Sequence, residues 1–235
     1  MANDIDVSKQ IAKVTYNGVE IPLAGFDEAR AEGIEQGKQS EWNALWDGIQ
    51  NFGDRTEYQK AFSGLGWTDE NFNPKYPLKL DQAPNMFWGC GITDFTREGI
   101  VFDFSKAVNL NGFIQYSKGV EKLPVMDLSV VKSIYNLFNG FVGTDLEVIV
   151  SETTPWYYSF NSCTNLTNLT FYGTFAATLD LTPCPNLTHA SVQSVINAMK
   201  DLTGQTAQTV SFHTDVLAKL TAEQADAITA KNWTF

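Results

Sequence analysis

The stretch FNSCTNLTNLTF, residues 160–171, decides how this chain is read. An aromatic is followed by a short polar turn and a cysteine, and then by leucines three apart among threonines and asparagines. Working outward, related strings recur as MFWGCGITDF (86–95), GFIQYSKGVEKL (112–123) and LFNGFVGTDLEVI (137–149). Superposing them on their aromatics places Phe87, Phe113, Phe138 and Phe160 in one column, with separations of 26, 25 and 22 residues. A second string follows in phase: Asp103-Phe104-Ser105, Asp127-Leu128-Ser129 and Asp180-Leu181-Thr182. Each unit holds too little apolar surface to bury its own face, so stacking of neighbours is the physical remedy. The expectation is an α+β chain whose body, residues 83–187, is a short leucine-rich-repeat-like β-solenoid with capping elements, preceded by an N-terminal β-hairpin and helix.

Residues 1–26 form the expected attachment segment. IAKVTYNGVEIPLA (11–24) alternates apolar and polar around Asn17-Gly18, the dipeptide that tight hairpin turns favour. Residues 27–51 are expected to be helical, because Trp42, Leu45, Trp46 and Ile49 fall at helical spacing behind an acidic first turn. Ala29, Gly33 and Gly37 lie four apart on one stripe, which permits close approach of a second helix and makes this a candidate oligomerisation stalk. A weakly helical linker is the alternative. Residues 52–82 carry Phe52, Tyr58, Phe62, Trp67, Phe72 and Tyr76 without a clean period and are expected to cap the body. Residues 188–235 are expected to form an α/β cap at its other end. There Val192, Val195, Ile196, Met199 and Leu202 mark a helix closed by Gly204, TVSF reads as a strand, Thr221 to Gln224 match a capping box, and Asn232 to Phe235 read as an edge strand.

Composition narrows the function. Sixteen Lys plus Arg against 27 Asp plus Glu give a net charge of −11, which argues against a protein that tracks nucleic-acid phosphates. No long apolar run occurs, so no membrane insertion is expected, and MANDIDVSKQIAKV lacks the pattern of a secretory signal. Cys90, Cys163 and Cys184 have no metal-ligand spacing and read as buried thiols. Two histidines and no H-E-x-x-H, G-x-S-x-G or P-loop string leave no catalytic residue, metal or cofactor to name. Asp94, Asp103, Asp127 and Asp180 could supply a carboxylate pair for glycoside cleavage, Asp103 with Asp127 being the pair an enzyme would use, but their placement follows the period rather than a site.

The consensus of aromatic, cysteine and T-x-L-x-x-L resembles the BspA-like leucine-rich repeats of bacterial surface proteins. The C-terminal stretch LTHASVQSVINAMKDLTGQTAQTVSFHTDVLAKLTAEQADAITAKNWTF and the segment EWNALWDGIQNFGDRTEYQKAFSGLGWTDENFNPKY (41–76) resemble repeat proteins encoded in phages and prophages of gut Firmicutes. The resemblance covers roughly residues 40–235. It implies structural capping roles for Cys90, Cys163, Asn165 and Asn168. It also implies a phage virion component or a bacterial surface protein.

Between Lys132 and Lys200 there is no Lys or Arg, while Thr, Asn, Ser and Tyr are plentiful and Trp156, Tyr157 and Tyr158 stand together. These three are the candidate ligand-binding residues, since exposed aromatics stack on sugar rings, and filling of the interior is the competing role. The expected protein is a non-catalytic virion component, assembled in the bacterial host cytoplasm. It would join other virion proteins through its N-terminus, form a homo-oligomer with a trimer favoured, and present its body to a host-surface glycan or protein. A bacterial cell-surface adhesin is the alternative.

Overall fold

A computed structural model describes the backbone of residues 13–16 and 19–22, and residues 62–63, 66–74, 77–117 and 119–235. The chain divides into two compact units, Met1–Asn51 and Phe52–Phe235. In the first, β1 (Lys13–Tyr16) and β2 (Val19–Pro22) pair antiparallel, with Tyr16 opposite Val19. The helix expected over 27–51, with its Ala29, Gly33, Gly37 stripe, lies outside the described residues.

In the second unit every strand pairing is parallel. β3 (Leu78–Lys79) pairs with β4 (Phe102–Asp103). A three-stranded sheet holds β5 (Met126–Asp127), β6 (Asp145–Val150) and β7 (Asn168–Gly173) in that order. Another joins β8 (Leu179–Leu181), β9 (Gln208–Phe212) and the edge strand β10 (Trp233–Thr234). In β6, Leu146, Val148 and Val150 alternate inward, and Leu169 and Phe171 of β7 meet the same interior. The register runs from Asp145 opposite Asn168 to Val150 opposite Gly173. It stops there because Gly173 sits at φ 95°, and a Cβ on it would lie 2.4 Å from the Val150 carbonyl oxygen.

This arrangement corrects the expected leucine-rich-repeat-like β-solenoid. Such a body carries one sheet along its length, whereas the described strands fall into separate short sheets of two and three strands, with no ladder between β4 and β5. The Asp-x-Ser strings keep β4 and β5 short. Asp103 accepts the backbone N–H of Ser105 at 3.0 Å, and Asp127 that of Ser129 at 3.0 Å. Each two-residue strand is therefore diverted into a local turn before pairing can extend. Mixed α and β content is what remains of the expected fold class.

Among the described residues the helices are confined to the C-terminal stretch: α1 (His189–Ala198), α2 (Thr214–Leu217) and α3 (Ala222–Ala230). Thr188 caps α1 by accepting the Ser191 N–H, and Thr221 and Gln224 form a capping box on α3. α1 lies along the free edge of β7. The backbone N–H groups of Leu169 and Phe171 donate to the hydroxyls of Ser191 and Ser194 at 2.8 and 2.9 Å, so side chains take the place of a next strand. Lys231, which follows α3, donates from Nζ to the carbonyls of Ile196 and Met199, both at 2.7 Å, and closes the last turn of α1.

Candidate recognition surface

The element that recurs is a turn. Segments 84–89, 111–116, 135–140 and 157–162 each close through the N–H of the next residue and the carbonyl of their own fourth: Cys90 to Phe87 at 3.1 Å, Ser117 to Ile114 at 3.1 Å, Phe141 to Phe138 at 2.9 Å, and Cys163 to Phe160 at 3.1 Å. Successive turns also bond to one another. The N–H groups of Asn85, Gly112 and Asn136 donate to the carbonyls of Asn111, Tyr135 and Tyr157 at 2.7, 2.7 and 3.1 Å.

The second and sixth positions of every turn are left-handed. Asn85, Gly112, Asn136 and Tyr158 have φ of 54°, 58°, 54° and 51°; Gly89, Tyr116, Gly140 and Ser162 have 69°, 59°, 111° and 66°. Gly140 has no alternative, since a Cβ there would meet the Ile114 carbonyl oxygen at 2.7 Å.

These bonds correct the aromatic column read from the sequence. The residue equivalent to Phe87, Phe138 and Phe160 is Ile114, one position after Phe113, and all five are buried. Ring contacts accordingly form two groups. Phe87 meets Phe113 at 5.2 Å and Phe138 meets Phe160 at 5.2 Å, with no ring contact between Phe113 and Phe138. The residue after the turn also explains one of the two units that lack a cysteine, while the other has the buried Phe141 there. Ser117 donates to the Phe87 carbonyl at 2.7 Å, and the Cys163 thiol donates to the Phe138 carbonyl at 3.4 Å. Of the other residues given capping roles, Asn165 donates to the Val142 carbonyl at 3.0 Å, whereas Asn168 bonds the Asp145 carboxylate at 2.7 Å.

The walls of each turn are buried, and what projects is aromatic or amide. Tyr157 and Tyr158 are 64% and 57% exposed, whereas Trp156 is 5% exposed and stacks on Phe171 at 5.2 Å. The expected ligand role for Trp156 is therefore corrected: it fills the interior, its indole N–H buried without a partner. Sequence reasoning missed three further surface rings. Tyr135 meets Tyr158 edge-on at 5.4 Å, and Trp88 meets Tyr116 at 5.7 Å. Tyr116 and Tyr158 are bulky residues in left-handed backbone, a placement that costs on the order of 1–3 kcal/mol each and concentrates at functional positions. The fifth positions of turns two, three and four hold Gln115, Asn139 and Asn161, all half-buried. Asn161 donates to the Asn136 side-chain oxygen at 3.2 Å, while Gln115 and Asn139 make no side-chain hydrogen bond among the described residues.

The carboxylates are engaged elsewhere. Asp103 is held below its usual range chiefly by the Ser105 hydroxyl, and Asp180 accepts the Thr182 N–H and hydroxyl at 2.9 and 2.6 Å. At Asp94 partial burial pushes the carboxyl up, but bonds from Thr96 and Lys122 outweigh it and bring the pKa down to about 2. An open groove of about 540 Å³ is lined by Glu121, Lys122, Val125, Asp145, Glu147 and Asn165. Its carboxylates are partly committed, Asp145 to Asn168 and Glu147 to the Tyr172 hydroxyl at 2.5 Å. Among the described residues no group of three or more His, Cys, Asp or Glu is placed to hold a metal, and no helix is long and apolar enough to cross a membrane. No protein-family model, curated protein or solved structure matches the chain.

Proposed function

We propose that this chain is a non-catalytic recognition protein of a phage particle, joined to other virion proteins through its N-terminal unit and meeting the host surface with its turn face. The single observation that carries the recognition role is the set of exposed rings on consecutive turns, Trp88, Tyr116, Tyr135, Tyr157 and Tyr158, four of them held in two edge-on pairs. Tyrosine and tryptophan present large rigid contact area with a polar handle, which is why they concentrate where proteins bind partners. The particle assignment rests on the likeness of residues 41–76 and of the C-terminal stretch to phage-encoded proteins.

Two measurements test this. Antibody against the chain should label purified particles; label confined to the bacterial envelope moves the protein to the surface-adhesin class. Fluorescently tagged full-length protein should bind susceptible cells, and Tyr157→Ala with Tyr158→Ala should weaken that binding at least tenfold. Cell binding unchanged by the double substitution overturns the assignment of the turn face.

A further inference from the structure

We propose that the four-turn face binds a neutral glycan, with Tyr116 and Tyr158 as stacking platforms; this rests on the reading that the face is the recognition surface, and it names the ligand class. The first argument is charge. The chain carries a net charge of −11 and is 18% charged, yet PNMFWG, NGFIQY, YNLFNG and YYSFNS contain no Asp, Glu, Lys, Arg or His. A site for a phosphate, a sulfate or an acidic sugar needs cations or converging N–H groups aimed at it, and a site for a cationic polymer needs carboxylates. This surface offers neither. Its groups are amides and phenols, which donate and accept hydrogen bonds as sugar hydroxyls do, and rings whose faces match the C–H face of a pyranose.

Backbone conformation supplies the second argument. In the two left-handed columns the other positions hold Gly or Asn, residues that tolerate positive φ, and in one case the small Ser162, while turn two places Tyr116 in its sixth position and turn four Tyr158 in its second. Nothing in the interior requires either ring, since Tyr116 is 63% and Tyr158 57% exposed. What the strained placement gains is a projecting ring. The side-chain amides of Gln115, next to Tyr116 on turn two, and of Asn139 on turn three are half-buried and without hydrogen bonds among the described residues.

A protein partner fits less well. A protein interface also enriches Tyr and Trp, but together with arginine and methionine, and the four turn segments hold no arginine and only the buried Met86. Four hydrogen-bonded turns at a spacing of about 4.8 Å span about 14 Å, the reach of a short oligosaccharide rather than of one sugar.

The experiment is affinity electrophoresis of the full-length protein through gels containing dextran, yeast mannan, galactomannan or arabinoxylan, with hyaluronate and glycerol teichoic acid as charged probes. At least one neutral polymer should retard the protein, and the charged ones should not. Tyr116→Gly and Tyr158→Gly should each weaken the retardation at least tenfold while leaving the melting temperature unchanged or raised, because glycine relieves the left-handed backbone. Retardation by none of the neutral polymers, or by the glycine variants as strongly as by wild type, overturns the proposal. The cell assay separates the two levels. If the variants lose cell binding but protease treatment of the cells, not periodate, abolishes it, the face is a recognition surface for a protein and the glycan assignment falls. If the variants bind cells as wild type does, the recognition surface itself is misplaced.

Discussion

At position 117 a serine hydroxyl does what a thiol does at position 163: each follows a turn and donates to the carbonyl of the fourth residue in the turn before. Their equivalence shows that at these two positions one hydrogen bond, rather than sulfur chemistry, is what the small side chain supplies, whereas Phe141 fills the equivalent position with apolar bulk. The thiols are accordingly inert. Burial pushes Cys90 up and Cys163 well up, and Cys184 to about 12. None of the three should react with a disulfide reagent at pH 8 until the protein unfolds, which thiol titration with and without urea measures. The folded state holds the Cys184 proton above pH 9 and the unfolded chain does not, so stability should fall as pH rises from about 9 towards 12. Denaturant midpoints across that range check the sign. Trp156 tests a different cost. Trp156→Phe removes a buried N–H that has no partner and should change stability by about 1 kcal/mol or less, against about 3–5 kcal/mol lost in Trp156→Ala.

Elements in this chain end where side chains intercept backbone groups. Ser191 and Ser194 of α1 receive the edge N–H groups of β7, and Ser191 in turn donates to the Thr167 carbonyl at 2.8 Å. Ser191→Ala would leave the Leu169 N–H buried and unpaired, and it should cost about 1–3 kcal/mol in urea unfolding. The turn period was legible in the sequence because a buried side chain recurs in each segment, and the capping box at Thr221 because its spacing is local. The slip at Phe113 was not legible. Phe113 and Ile114 are both buried, and only the left-handed residue at 112 and its bond to Tyr135 reveal which is equivalent to Phe87. Sheet content failed for a related reason. Asp103 and Asp127 announce themselves as recurring positions, but their diversion of the Ser105 and Ser129 N–H groups from the ladder depends on side-chain geometry that the period does not carry. Of the candidate site, Tyr157 and Tyr158 stood out because they are adjacent. Trp88, Tyr116 and Tyr135 are separated by 19 residues or more and become neighbours of other rings only when the turns lie side by side.

The whole molecule consists of an N-terminal unit, Met1–Asn51, and a body, Phe52–Phe235. If the stripe Ala29, Gly33, Gly37 draws copies together, native mass spectrometry of the full chain should show a trimer, and Gly33→Glu with Gly37→Glu should reduce it to monomer. A wild-type monomer removes the oligomeric attachment. Several weak contacts engaging one surface at once would then be unavailable, and single-site affinity alone would have to hold the particle. The uncharged character of the turns bears on how such contact begins and persists. A face without ions has nothing for salt to screen, so once seated it should hold as well at high ionic strength as at low. The acidic remainder of the chain, by contrast, repels an anionic envelope at a distance, most strongly in dilute salt. Capture should therefore speed up as salt is added while the dwell time stays constant, a dependence opposite to that of proteins drawn in by opposite charge.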